Sequence, residues 1–214
     1  MKTRPIRLIT LAALSLTATA LLTGCSTTGY QQADKTGAGI AEFRQDINEA
    51  KTAVDETVQV AVTANTDPRP AFKEYVRSLS NLESSSAKTK KQAETVKSQG
   101  QAYFANWEKQ LAELKNPDIK KLAEQQKAKL QTTFDSIKKV AAPLKNQFDP
   151  WLSDLNDLKN YLSNDLSISG VDAAKSLISK MQNEGLEVQK SMDALVAELN
   201  TVAATLTPAN VKSK

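Results

Sequence analysis

"LQTTFDSIKKVAAPLKNQFDPWLSDLNDLKNYL", residues 130 to 162, places apolar side chains at Leu130, Phe134, Ile137, Ala141, Leu144, Phe148, Trp151, Leu155, Leu158 and Leu162. The steps alternate four and three without a break. A helix gathers such positions on one face, whereas a strand would scatter them over two. The stretch therefore predicts one long helix with a bundle or coiled-coil seam. Pro143 and Pro150 lie inside it, and each removes a backbone hydrogen bond. Because the seam stays in phase from Ala141 to Leu155, they predict bends in a continuous helix rather than an inserted loop.

Working outward, Asn116-Pro117 supplies an N-cap followed by proline at the first helical position, and Asp67-Pro68 repeats the device. Between them runs a second seam: Phe72, Tyr75, Leu79, Leu82, Ser86, Thr89, Ala93, Val96, Gly100, Tyr103, Trp107 and Leu114. An earlier one, Ile40, Phe43, Ile47, Ala50, Val54 and Val58, ends near "NTDPRP" (65 to 70). A last one, Ala174, Ile178, Met181, Gly185, Val188, Met192, Leu195, Leu199, Val202 and Leu206, is expected to open on a capping box of Ser169 and Asp172 and to stop before Pro208.

Short connections between long helices impose antiparallel neighbours. The expected fold class is all-α: an elongated antiparallel four-helix bundle, a coiled-coil-like rod. Turning at Asn116 sets Gly100 against Phe134 and Leu79 against Leu155, and turning near Ser167 sets Trp151 against Gly185. Both aromatic bulges then meet glycines, as interdigitated packing requires. The first helix is expected to bring Ile47 beside Ser86 and Phe43 beside Thr89.

The N-terminus reads differently. Lys2, Arg4 and Arg7 precede an apolar run from Leu8 to Leu22, then Thr23 and Gly24. That order marks a secretory signal. The run covers about 22 Å as a helix, short of the roughly 30 Å hydrocarbon core. Leu22-Thr23-Gly24-Cys25 resembles the lipobox of bacterial lipoproteins. The resemblance implies cleavage between Gly24 and Cys25, lipidation of Cys25 with diacylglycerol and acylation of the new N-terminus. It divides the chain into a signal peptide (1–24), a lipidated N-terminus and tether (25–39), a helical bundle (40–207) and a C-terminal tail (208–214). Under the enteric-type sorting rule, Ser26 in place of aspartate implies outer-membrane anchoring. Cleavage removes three cations and no acid, leaving 25 basic against 24 acidic side chains.

Little catalytic chemistry is on offer. The 214 residues include no histidine, so the usual neutral-pH general base and the commonest metal ligand are missing. Acylation would occupy the lone cysteine. "GCSTTGY" (24 to 30) spaces two glycines like a phosphate-binding loop, but Tyr30 and Gln31 stand where lysine and serine or threonine are needed. "DKTGAG" (34 to 39) resembles the phosphorylated-aspartate motif of P-type ATPases, with Ala38 in place of the next threonine. Lysines such as Lys88, Lys90, Lys91, Lys120 and Lys121 are interleaved with acids, unlike a nucleic-acid footprint. The expectation is no enzyme activity, no cofactor, no metal and no nucleic-acid partner.

"YFANWEKQL" (103 to 111), "DLNDLKNYLS" (154 to 163) and "LISKMQNEGLEVQKSMDALVAEL" (177 to 199) resemble a family of uncharacterised helical lipoproteins of Gram-negative bacteria, a domain-of-unknown-function family. It implies fold and envelope location, not an activity. Together these readings predict a non-enzymatic, lipid-anchored scaffold, spacer or partner-binding module, its partners the membrane and an envelope protein. An alternative is a binding protein for a hydrophobic ligand between the helices, lined by Tyr103, Phe104, Trp107, Phe148 and Trp151. Oligomeric state is left open.

Overall fold

The structure, a computed structural model, describes residues 29–60 and 67–206. Gly24, Cys25, the signal segment and the tail at 208–214 lie outside the described residues, as do the side chains of Val54 and Val58. Four helices follow in order: α1 (Gly29–Val60), α2 (Pro68–Glu113), α3 (Pro117–Asn164) and α4 (Ile168–Leu206). Each packs on two others, α1 on α2 and α4, α3 on α2 and α4. The chain thus runs up, down, up, down around one core.

Local chemistry accounts for where the helices start. Asp67 accepts a hydrogen bond from the Arg69 N–H at 3.1 Å, and Asn116 accepts from those of Asp118 and Ile119 at 2.9 and 3.2 Å. Each cap satisfies N–H groups that a helix start leaves without partners. The α4 start differs from expectation. Ser167, not Ser169, is the cap: its hydroxyl accepts from the Gly170 N–H at 3.0 Å and donates to Asp165 at 2.7 Å. The turn folds so tightly that a Cβ on residue 170 would sit 2.5 Å from the Asp165 backbone oxygen.

Helix α1 also differs, beginning at Gly29 rather than near Ile40. The small polar residues read as a tether are helical from there on because they pack against a neighbour. Thr36 and Gly39 are buried, and the Gly39 carbonyl accepts from Gln92 of α2 at 3.2 Å. Small side chains let two backbones approach, and that contact overrides weak helix propensity.

The seams pack in the expected register. An added Cβ at Gly100 would lie 2.5 Å from Phe134 Cε1, so the glycine is the hole for that ring. Trp151 donates its indole N–H to the Met181 carbonyl at 2.8 Å, one helical turn before Gly185. Tyr75 donates its hydroxyl to the Leu155 carbonyl at 2.6 Å. Thr89 reaches the Asp46 carbonyl at 3.2 Å, and Arg44 and Lys51 of α1 bond Asn200 and Asp193 of α4, both at 2.6 Å. Every seam residue from Ala174 to Leu206 on α4 is buried. Helix α3 continues through Pro143 and Pro150 without interruption.

Two expected outcomes follow from this packing. Gly170→Ala sets a methyl group against a backbone oxygen that cannot rotate away; urea denaturation should show a loss of about 1–3 kcal/mol. Tyr75→Phe should cost about 0.5–1.5 kcal/mol at neutral pH, the worth of one hydrogen bond. Burial pushes the Tyr75 phenol well above its ordinary range. An unfolded chain ionises it near pH 10, so its contribution holds below that pH and is lost as pH rises further. Stability above about pH 10 should therefore fall less steeply in the phenylalanine variant.

Candidate functional site

The feature that distinguishes the molecule from a plain bundle lies at the end where α1 begins. Gly39 sits against Gln99, so Gly29, ten residues earlier on an antiparallel helix, is level with about Lys109. Ser136 of α3 donates to Glu198 of α4, so Leu206 is level with about Ala128. Residues 109–128 consequently extend past both α1 and α4 as a two-helix arm, by roughly 10 to 15 Å.

The exposure pattern reflects this. On α3, Phe148, Trp151, Leu155, Leu158 and Leu162 are buried, but Leu130, Phe134, Ile137, Ala141 and Leu144 of the same seam are only half-buried. The seam is continuous; its partners run out.

An aromatic box closes the base of the arm. Phe104 meets Phe134 edge-on with ring centroids 5.6 Å apart, and Tyr103 meets both Phe104 and Trp107, at 5.3 and 5.6 Å. Such edge-to-face pairs add about 0.5–1.5 kcal/mol beyond burial. Phe104, off the α2 seam, thereby joins the core, and Tyr103 is buried in it. Beyond the box, Leu111 is buried between the two arm helices, and Lys127 pairs with Glu108 across them. At the tip, Ile119 and Leu122 are exposed. They lie three residues apart on the first turns of α3, so they share one face.

A second candidate is the groove between α3 and α4 beside Pro150, about 770 Å³. Its apolar lining is Pro150, Trp151 and Leu186, set among polar side chains such as Asp154, Glu187 and Lys190. Most of the face of Trp151 is spent on the core. An open, largely polar furrow suits water better than an apolar ligand.

Electrostatics at the α1–α2 contact centre on Asp46, a buried acid that the apolar pattern did not single out. Lys88 lies 2.8 Å from both Asp46 and Glu49. Hydrogen bonds to Asp46 and then Glu49 hold the Lys88 ammonium above its ordinary range. The pair is a register clamp between helices. Among the described residues no group of three potential metal ligands forms, and no helix is long and apolar enough to cross a membrane.

Fold and site together define a class: an up-down-up-down helical bundle carrying a projecting hairpin arm. Residues 31–206 match the family described as protein of unknown function DUF2959, and the chain belongs to that family. The match begins inside the segment read from sequence as a tether, where α1 is already helical. Searches of curated proteins and of solved structures gave no match.

Phe134→Ala removes the ring that holds Phe104 and fills the Gly100 hole. Amide hydrogen exchange should quicken across residues 109–128, while exchange across 181–199 stays unchanged.

Proposed function

We propose that this chain is a non-enzymatic, lipid-anchored protein of the Gram-negative envelope, attached to the outer membrane and acting as a helical scaffold, spacer or partner-binding module. The observation that carries the proposal is the placement of Leu22-Thr23-Gly24-Cys25, directly after an apolar signal and four residues before α1. Nothing else between the signal and the bundle competes for the cysteine. Several acyl chains, at about 0.8 kcal/mol per buried methylene, give stable attachment without a spanning helix. Surface charge is divided into short pairs such as Lys51 with Asp193 and Lys180 with Asp154, a solvated exterior rather than a charged footprint.

Metabolic labelling with radioactive palmitate and membrane fractionation test the anchor. Cys25→Ala should abolish label incorporation and leave the protein unprocessed or released from the membrane fraction. Unchanged labelling of the variant would contradict the proposal.

A further inference from the structure

We infer that the tip of the α2–α3 arm, through Ile119 and Leu122, is a second membrane contact that inserts into the lipid surface holding the Cys25 anchor. This rests on the lipid-anchor reading proposed above. The first support is length. Four residues separate Cys25 from Gly29, and four residues of chain span at most about 14 Å. The arm projects roughly 10 to 15 Å beyond the start of α1, at the same end of the bundle. A rod standing on its anchor therefore brings the tip to the depth of the acylated cysteine. The body cannot be held far from the membrane, because helix α1 takes up most of what would otherwise be a long tether.

The second support is the tip's own chemistry. Ile119 is 54% and Leu122 57% exposed, with no described residue covering them, although the arm's inward face is closed by Leu111. These side chains are not needed to hold the arm together. Lys120 and Lys121, exposed on either side, have apolar stems that let a charged head stay at the lipid headgroups while the neighbouring apolar side chains enter. Residues 113–124 carry Lys115, Lys120 and Lys121 against Glu113, Asp118 and Glu124, so the tip has no net charge. The contact is thus apolar in origin and independent of anionic lipid.

The chain's one cysteine makes the test specific, since an acylated Cys25 leaves no native thiol to label. The mature acylated protein with Leu122→Cys, or with Lys175→Cys at the opposite end, is labelled with an environment-sensitive fluorophore. It is then reconstituted into phosphatidylethanolamine vesicles with and without phosphatidylglycerol. The label at 122 should show blue-shifted emission and several-fold weaker quenching by aqueous iodide than the label at 175, equally in both vesicle types. Adding Ile119→Asp should restore quenching at 122 while the protein still floats with the vesicles. Equal quenching at 122 and 175 in protein that floats would overturn the tip contact and leave the anchor standing. Protection seen only with phosphatidylglycerol would overturn its apolar basis. Protein that fails to float, or that takes label at Cys25, would overturn the anchor and the tip contact together.

Discussion

Two helices of 46 and 48 residues joined through Leu114, Lys115 and Asn116 leave the chain one option, which is to fold back on itself at once. This constraint underlies the rest of the structure. A three-residue connection capped by Asn116 and started by Pro117 admits almost no slack, so the register of α2 against α3 is set at the turn. From there the seams fall into place: Phe134 over Gly100, Tyr75 on the Leu155 carbonyl, Lys90 on Asp149 at 2.9 Å. Slipping by one heptad would drive Phe134 into a side chain and separate the other pairs.

The outer helices are shorter, 32 described residues in α1 and 39 in α4, and their lengths decide what the bundle presents. At the α3–α4 turn all the apolar seams find partners. At the other end α1 and α4 stop early, and the two long helices continue alone. A pair of helices can bury only a narrow strip, which is why Leu111 is covered while Ile119 and Leu122 are not. The aromatic box at the base transfers rigidity from the four-helix core to this arm. The arm is thus a stiff continuation of the rod, built by the same seam that builds the core.

Much of this was legible in the residues themselves. Periodicity located all four helices, and proline after a capping side chain located two starts. The glycine matches gave the register, because large-against-small packing is a local demand. What escaped was set by tertiary contacts. Ser169 and Asp172 form a plausible cap, but the sharper turn at Asp165 moves the start to Ser167. "DKTGAG" has the composition of a linker, yet Thr36 and Gly39 are small because α2 lies against them. Asp46 interrupts no seam and gives no sequence signal; its burial depends on Lys88, about forty residues away. The arm could not be read at all from the α3 seam, since Leu130 to Leu144 carry the same pattern as the fully buried half. Cys25 and Gly24 rest on motif placement alone, as they lie outside the described residues.

The account turns on one geometric claim, that the arm and the N-terminal end of α1 lie at the same end of the rod. Pulsed dipolar spectroscopy on the body with Cys25→Ser, spin-labelled in pairs at exposed positions, tests it directly. With a rise of 1.5 Å per residue, labels at Asp34 and Lys120 should lie about 25 Å apart and labels at Asp34 and Asp172 about 45 Å apart. The reverse order of distances would contradict the topology, and with it any role for the arm at the membrane.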